Sequence, residues 1–393
     1  MSTYLAYAAA AAAVYIATCQ TLRFRNRDSF YHKLNPAYAR LSQAELYEQL
    51  TLSDAEKINR TLARYEFPKV YNTALQFALF RTYAIPSISS VLKKTKQLAE
   101  KEFAGRRYSD TVVLIAEFTA WPLDSERSSL AIARMNYLHS LYPSILPRDT
   151  LYTLLLFATQ PLVFIARLEW RTPTPLEKVA AAKYWTEVGV RMGIPREDIP
   201  KTFEEMVVAY EEFEKEYMVP AESNNYVGKR TMELLLYWVP TEGAKWFGKQ
   251  VVLALLDERL RTAMMFGDTT ELIKGFVKTG IELRRFILRW LCLPRYVPYL
   301  IVNEKRNNRT GRYYVRNSDN EPWYQEPTLW NRWGPWGIIA RIGGWPLPGD
   351  QGFKETGYEL HEVGPATLEK SGHEKVKKEA ERIRGMGGCP FAV

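Results

Sequence analysis

Histidine and cysteine are scarce in this chain. Its 393 residues include four histidines, His32, His139, His361 and His373, and three cysteines, Cys19, Cys292 and Cys389. Three cysteines make no disulfide framework and fit a reducing compartment. There is no CxxC pair, no HExxH and no GxSxG. A glycine-rich dinucleotide fingerprint is also missing. The stretch from Gly243 to Gln250 follows a P-loop for seven positions, then places Gln250 where a Ser or Thr must hold Mg²⁺. It also sits in a helical pattern with no strand before it. Hydrolase and nucleotide chemistries are therefore set aside. The net charge of +9 is modest, and basic residues interleave with acids, as around Glu211, Glu212, Glu214, Lys215 and Glu216. No nucleic-acid partner is expected.

Charge is absent from one stretch. Residues 4–19 carry none and are mostly Ala, Tyr, Val and Ile; continuing to Leu22 adds only Gln20 and Thr21 as polar groups. Arg23, Arg25 and Arg27 follow at once. A helix over 4–22 is about 28 Å long, close to the hydrocarbon thickness of a bilayer. A cleavable signal wants its positive charge before the apolar run, and here it comes after. A buried core helix is the other reading, because Ala is only weakly apolar. The anchor reading is preferred. Positive flanks stay cytosolic, so the N-terminus is expected in the lumen and the rest in the cytosol, on a single pass. The sequons at Asn59 and Asn308 then stay bare. The apolar stretch 151–165 contains Thr153, Thr159, Gln160 and Pro161 and reads as a buried helix. A basic surface suits an anionic leaflet.

The remainder predicts an all-α protein. Ser42 with Glu45, Ser53 with Glu56, and Thr174 with Glu177 have capping-box spacing. Helical periodicity covers 88–103, 109–118, 125–142, 151–170, 176–192, 203–217, 229–238, 242–260 and 271–291. Near Pro294 the character changes to an irregular stretch with Trp323, Trp330, Trp333, Trp336 and Trp345, expected to wrap the body or meet the membrane interface. A short helix over 374–384 and a flexible tail should follow. The expected division is an anchor at 1–22, a helical catalytic domain at 23–293 and an extension at 294–393. Cys389-Pro390 matches a haem-regulatory dipeptide but reads as a chance pair in that tail.

One constellation remains. Arg107 and Thr111 share a helix face; Asp110 and Glu117 lie on the same helix, Glu117 within an apolar turn. The next helix carries Arg127, Arg134 and His139. One neutral imidazole can ligate a haem iron, and arginines can pair with haem propionates. The bland reading makes His139 a buried histidine and pairs the arginines with Asp124 and Glu126, or Glu117 with Arg134 or Arg107. Residue physics alone favours the bland reading. Phe77, Phe80, Tyr83, Phe118, Tyr137, Phe157 and Trp185 are candidates for a pocket wall, though most fit a plain core. Glu222, Ser223 and Asn224 read as a cap for the helix after them.

Four runs change the weighting: Leu79-Phe80-Arg81-Thr82-Tyr83-Ala84-Ile85-Pro86-Ser87-Ile88-Ser89; Val113-Leu114-Ile115-Ala116-Glu117-Phe118; Ser125-Glu126-Arg127 with Ala133-Arg134-Met135-Asn136-Tyr137-Leu138-His139; and Met218-Val219-Pro220-Ala221-Glu222-Ser223-Asn224. Together with the terminal Gly388-Cys389-Pro390-Phe391, they resemble the fungal ER-bound oxygenases named after mpaB, which share a catalytic domain with the rubber oxygenases. The resemblance implies a globin-like, multi-helix domain binding haem b, with His139 as iron ligand and Arg107, Arg127 and Arg134 at the cofactor. It implies cleavage of a C=C bond in a hydrophobic prenyl or terpenoid substrate by dioxygen, in fungal secondary metabolism at the ER membrane. Arg107 and Thr111 match the rubber-oxygenase Arg-x-x-x-Thr pattern, and Glu117 or Asp110 is the candidate to move a proton or orient oxygen. Rubber oxygenases place a Lys before that Thr; Asp110 stands there instead, so a Lys-capped resting state is not expected. Two alternatives stay open: a non-catalytic, membrane-tethered scaffold of a biosynthetic complex, and a haem-independent enzyme using buried carboxylates.

Overall fold

The computed structural model describes residues 2–98 and 100–386. Among them the chain forms α1 (Ser2–Leu34), α2 (Gln43–Gln49), α3 (Leu52–Thr61), α4 (Pro68–Thr82), α5 (Pro86–Thr95), α6 (Lys101–Ala120), α7 (Glu126–Ser140), α8 (Pro147–Leu168), α9 (Pro175–Arg191), α10 (Phe203–Tyr217), α11 (Glu222–Leu235), α12 (Glu242–Leu255), α13 (Glu258–Ala263), α14 (Glu271–Leu291), α15 (Leu329–Trp333), α16 (Pro335–Gly343) and α17 (His373–Gly385). No sheet forms among these residues; three isolated β-bridges pin the extension, such as Tyr313 to Tyr358. The fold is all-α.

Local chemistry explains most helix starts. Prolines open α4, α5, α8, α9 and α16, where the missing N–H would have no helical partner anyway. Capping boxes close on Ser42 with Glu45, Thr174 with Glu177, and Thr202 with Glu205. Ser53 with Glu56 does not form the expected box. Thr51 caps α3 instead by accepting from the Asp54 N–H, and Glu56 turns inward to accept from the Leu123 N–H at 2.8 Å. The helical pattern of 88–103 is also interrupted, because Lys96 takes the left-handed conformation that ends α5. The P-loop-like stretch is simply the first half of α12. Cys389-Pro390 lies outside the described residues.

At the centre is α8, with Leu156, Thr159 and Ile165 fully buried. It is apolar and long enough to cross a membrane, but two-thirds of it (67%) is enclosed by protein. Around it pack α4, α9 and α10, while α3 lies along α9 and α6 along α7. Burying one such Leu or Phe contributes about 1.5–3 kcal/mol. Helix α1 is different: its apolar half is only 6% buried. Its basic half docks on the body, with Phe24 edge-on to Trp170 at 5.4 Å and Arg23 Nε donating to the Cys292 carbonyl at 2.9 Å. The apolar half, long enough to cross a membrane, is thus an extension of a helix that the body holds through Leu34. The described residues beyond Pro294 wrap the body, and α17 runs along α7.

Candidate functional site

Helices α4 to α9 line an apolar cavity, closed on one side by Pro365 of the extension. Its empty space, counting the part continuous with solvent, is about 1600 Å³. Helix geometry decides which residues face it. On α6, Arg107, Thr111, Leu114 and Phe118 recur at helical spacing and line the wall. On α7, Met135, Leu138 and His139 do the same. Of the aromatic candidates, Tyr83, Phe118, Phe157 and Trp185 line it, together with Tyr108 and Tyr142; Phe77, Phe80 and Tyr137 do not reach it.

Among the described residues, the His139 ring has no hydrogen-bond partner. Burial first, and then the nearby Arg107 cation, push its pKa down to about 4. At neutral pH it is an uncharged imidazole with a free lone pair facing an apolar space. Arg107 Nη1 donates to Thr111 Oγ1 at 2.5 Å, and the Thr111 hydroxyl donates back to the Arg107 carbonyl at 2.9 Å. No carboxylate of the described residues lies within ion-pair distance of Arg107.

The other candidates face a different side. Arg106, Asp110 and Glu117 follow the α6 spacing shifted by one residue, about 100° around the axis. Glu117 is fully buried and accepts from Arg127 Nε at 2.7 Å, Arg127 Nη2 at 2.6 Å, Trp121 Nε1 at 3.1 Å and Tyr358 Oη. Its cation is thus Arg127, neither Arg134 nor Arg107. Arg127 also donates to the carbonyls of Asn303 and Glu304. Asp110 accepts from Tyr324 Oη at 2.5 Å, and its burial raises its pKa. Arg134 is fully buried and donates to three extension carbonyls, Val363, Leu368 and Ser371, each at 2.8 Å. So the structure brings His139, Arg107 and Thr111 together at the cavity. It sets Glu117, Asp110, Arg127 and Arg134 against the extension.

Two groups escape local sequence reading. Tyr324 and Tyr358 reach buried carboxylates more than 200 positions away. Asn224 is no cap: its amide donates to the carbonyls of Ala84, Val219 and Ala263, and its oxygen accepts from Ser89 at 2.6 Å. Nothing near these residues in the chain signals such partners.

The cavity sits within a recognisable sequence frame. The model of the family "ER-bound oxygenase mpaB/B'/Rubber oxygenase, catalytic domain" matches residues 102–279. Over 365 residues the chain is 36% identical to the ER-bound oxygenase mpaB' of Penicillium brevicompactum, covering 88% of this chain and 86% of that protein. The chain belongs to this family. It is also 36% identical over 328 residues to mpaB of the same organism, covering 79% of this chain and 76% of that one. The mpaB of Penicillium roqueforti is 35% identical over 286 residues, 68% of this chain and 92% of that protein. Helices α7 to α13 lie wholly inside the family match, which also takes in α6 from Glu102 onward and the first part of α14. Three of the cavity's polar wall residues, Arg107, Thr111 and His139, fall within it.

Proposed function

We propose that this chain is a haem-dependent oxygenase, held at the ER membrane by one N-terminal span, that cleaves a C=C bond of a hydrophobic prenyl or terpenoid substrate. The observation that carries the reading is the neutral, unpartnered His139 imidazole beside an unpaired Arg107 on an apolar wall. This donor set fits haem b. A bare ion needs three or four protein ligands, and no cluster of three His, Cys, Asp or Glu exists among the described residues. A porphyrin brings four nitrogens of its own, so one histidine suffices. An unpaired guanidinium suits a propionate.

His139 would hold the iron through its neutral ring, and Arg107, fixed by Thr111, would hold a carboxylate of the macrocycle. Haem b, when bound, would supply the chemistry that activates dioxygen. The pocket would then be globin-like in the sense that packed helices form most of the wall around the cofactor. Leu114, Phe118, Phe157 and Trp185 exclude water and take an apolar chain. One C=C and one O=O bond break and two C=O bonds form, so the balance needs no external reductant. Glu117, Arg127 and Arg134 would act by holding the described part of the extension, residues 294–386, over the catalytic body at 23–293; Asp110 would do the same through Tyr324. The charge order of α1, apolar then basic, supports a luminal N-terminus and a cytosolic body.

The test is product analysis. Haem-loaded full-length protein in vesicles is given a polyprenyl compound under oxygen, and carbonyl products are trapped as hydrazones. Two carbonyl fragments are expected, lost without haem or oxygen. Equal turnover by haem-free protein, or none by haem-loaded protein across prenyl chain lengths, contradicts the reading.

A further inference from the structure

Helix α14 has no buried residue, although it touches α1, α8 and α12. Leu272, Phe276, Leu283, Phe286 and Ile287 are exposed and fall within about 100° of arc on a helix turning 100° per residue. The rest of its surface carries Lys274, Lys278, Arg284, Arg285 and Arg289 against only two acids, Glu271 and Glu282. An apolar stripe with a basic polar face is the pattern of a helix lying in a membrane interface.

Two further observations say what covers the stripe. The first is where α14 ends. Tyr15, within the apolar part of α1, donates its hydroxyl to the Leu291 carbonyl at 3.0 Å. Gln20 donates to the Arg289 carbonyl, and Arg23 to Cys292. The C-terminal end of α14 therefore stands where the anchor enters the bilayer. The second is continuity. Phe276 meets Phe247 of α12 with ring centres 5.7 Å apart, and Trp238 beyond α11 meets Trp345 at 5.4 Å. Trp345 follows α16, whose Trp336 and Ile342 are 77% and 83% exposed. Trp330 and Trp333 of α15 are exposed beside them. Tryptophan-rich apolar surface is favoured at the level of lipid headgroups.

We infer that the band from α14 through α12 to α15 and α16 is a second, in-plane membrane contact, which seats the body on the phospholipid surface the anchor enters. This goes beyond the proposed chemistry and rests only on the anchor reading. Lys274, Arg284 and Arg285 are held by Asp268, Glu271, Leu168 and Glu169, which leaves Lys278 and Arg289 to add attraction to anionic headgroups. The band also reaches the cavity: Leu98 of the cavity wall shares a small apolar cluster with Leu234, one turn before Trp238. A lipid-dissolved substrate then arrives beside the site without crossing open water.

The test places a benzophenone amino acid at one position at a time in the full chain. The protein is reconstituted in vesicles of phosphatidylcholine and phosphatidylserine. Phe276, Phe286 and Trp336 report on the band; all are more than half exposed, so replacing them leaves the core intact. Val14 reports on the anchor. Exposed Glu197 is the aqueous control, beyond the far end of α9, about 25 Å of helix from the end that meets Tyr31 of α1. After irradiation, lipid adducts at 276, 286 and 336 should exceed those at 197 several-fold and approach those at 14. Adducts at 14 with only background labelling in the band overturn the inference and leave the anchor standing. Crosslinks from the band to a second copy or another protein, without lipid adducts, overturn it too. Background labelling at 14 as well removes the anchor reading itself.

Discussion

Arg127 grips Glu117 through two nitrogens, Nε at 2.7 Å and Nη2 at 2.6 Å, on the side of α6 turned away from the cavity that His139 lines. The Arg127 guanidinium also lies over the rings of Tyr313 and Trp121, at 4.0 and 4.5 Å from their centres. This pair is the knot between the helical body and the extension. Removing one partner strands the other charge in the interior, which costs about 3–5 kcal/mol. Arg127→Ala and Glu117→Ala should each lower the unfolding midpoint clearly in a denaturant titration. A proton-transfer role for Glu117 would show the opposite split: Glu117→Gln with near-normal stability and lost turnover.

Arg107 should matter through the cofactor, with stability little changed, because it is unpaired at the cavity. A charge-assisted hydrogen bond is worth about 1.5–3 kcal/mol. Arg107→Ala should weaken haem retention roughly ten- to hundredfold on that scale. Arg107→Lys should fall between, since the charge stays and the fork is lost. Haem transfer to apomyoglobin measures this directly; unchanged transfer rates in Arg107→Ala would remove Arg107 from the cofactor site.

Acid should loosen the extension before the body. Burial opposes ionisation of Glu362 and Glu369, yet Arg312 beside Glu362, and Lys354 and Arg106 beside Glu369, hold both below the usual carboxylate range. A depressed carboxylate stabilises the fold fully above its ordinary pKa and loses that contribution as pH falls through the depressed one. In a His361→Gln background, which removes a half-buried imidazole whose lowered pKa costs stability below its ordinary value of about 6.5, protection of residues 359–371 in hydrogen exchange should therefore hold from pH 7 to 5 and fall below about pH 4. Loss already at pH 6 would point to other groups.

Orientation has a built-in reporter. Asn59 is buried and donates to the carbonyls of Ala55 and Ala180, so the folded chain cannot offer it for glycosylation. Asn308 is exposed within its sequon. With the body in the cytosol Asn308 stays bare, and digestion with an endoglycosidase leaves mobility on a gel unchanged. A shift abolished by Asn308→Gln would place the body in the lumen.

Much of this was legible locally. The anchor, the Thr174 and Ser42 caps, and the limits of α10 and α14 follow from charge, hydroxyls and helical periodicity. A single step along α6 was not. Arg107 and Arg106, or Thr111 and Asp110, are neighbours in sequence yet point about 100° apart, and apolar positions on both sides of α6 hide which face is the site. The extension was illegible for another reason. Arg134 looks like a cofactor cation until Val363, Leu368 and Ser371 arrive from more than 200 positions away. Isolated bridges and carbonyl contacts leave no periodicity to read.

The central claim is that His139 holds a haem. The visible absorption spectrum of full-length protein from haem-supplemented cells, beside His139→Ala, tests it most directly. The account predicts a Soret band in the native chain that is lost or displaced in the variant, with helix content unchanged. A folded native chain with no Soret band, or the same band in both proteins, would contradict it.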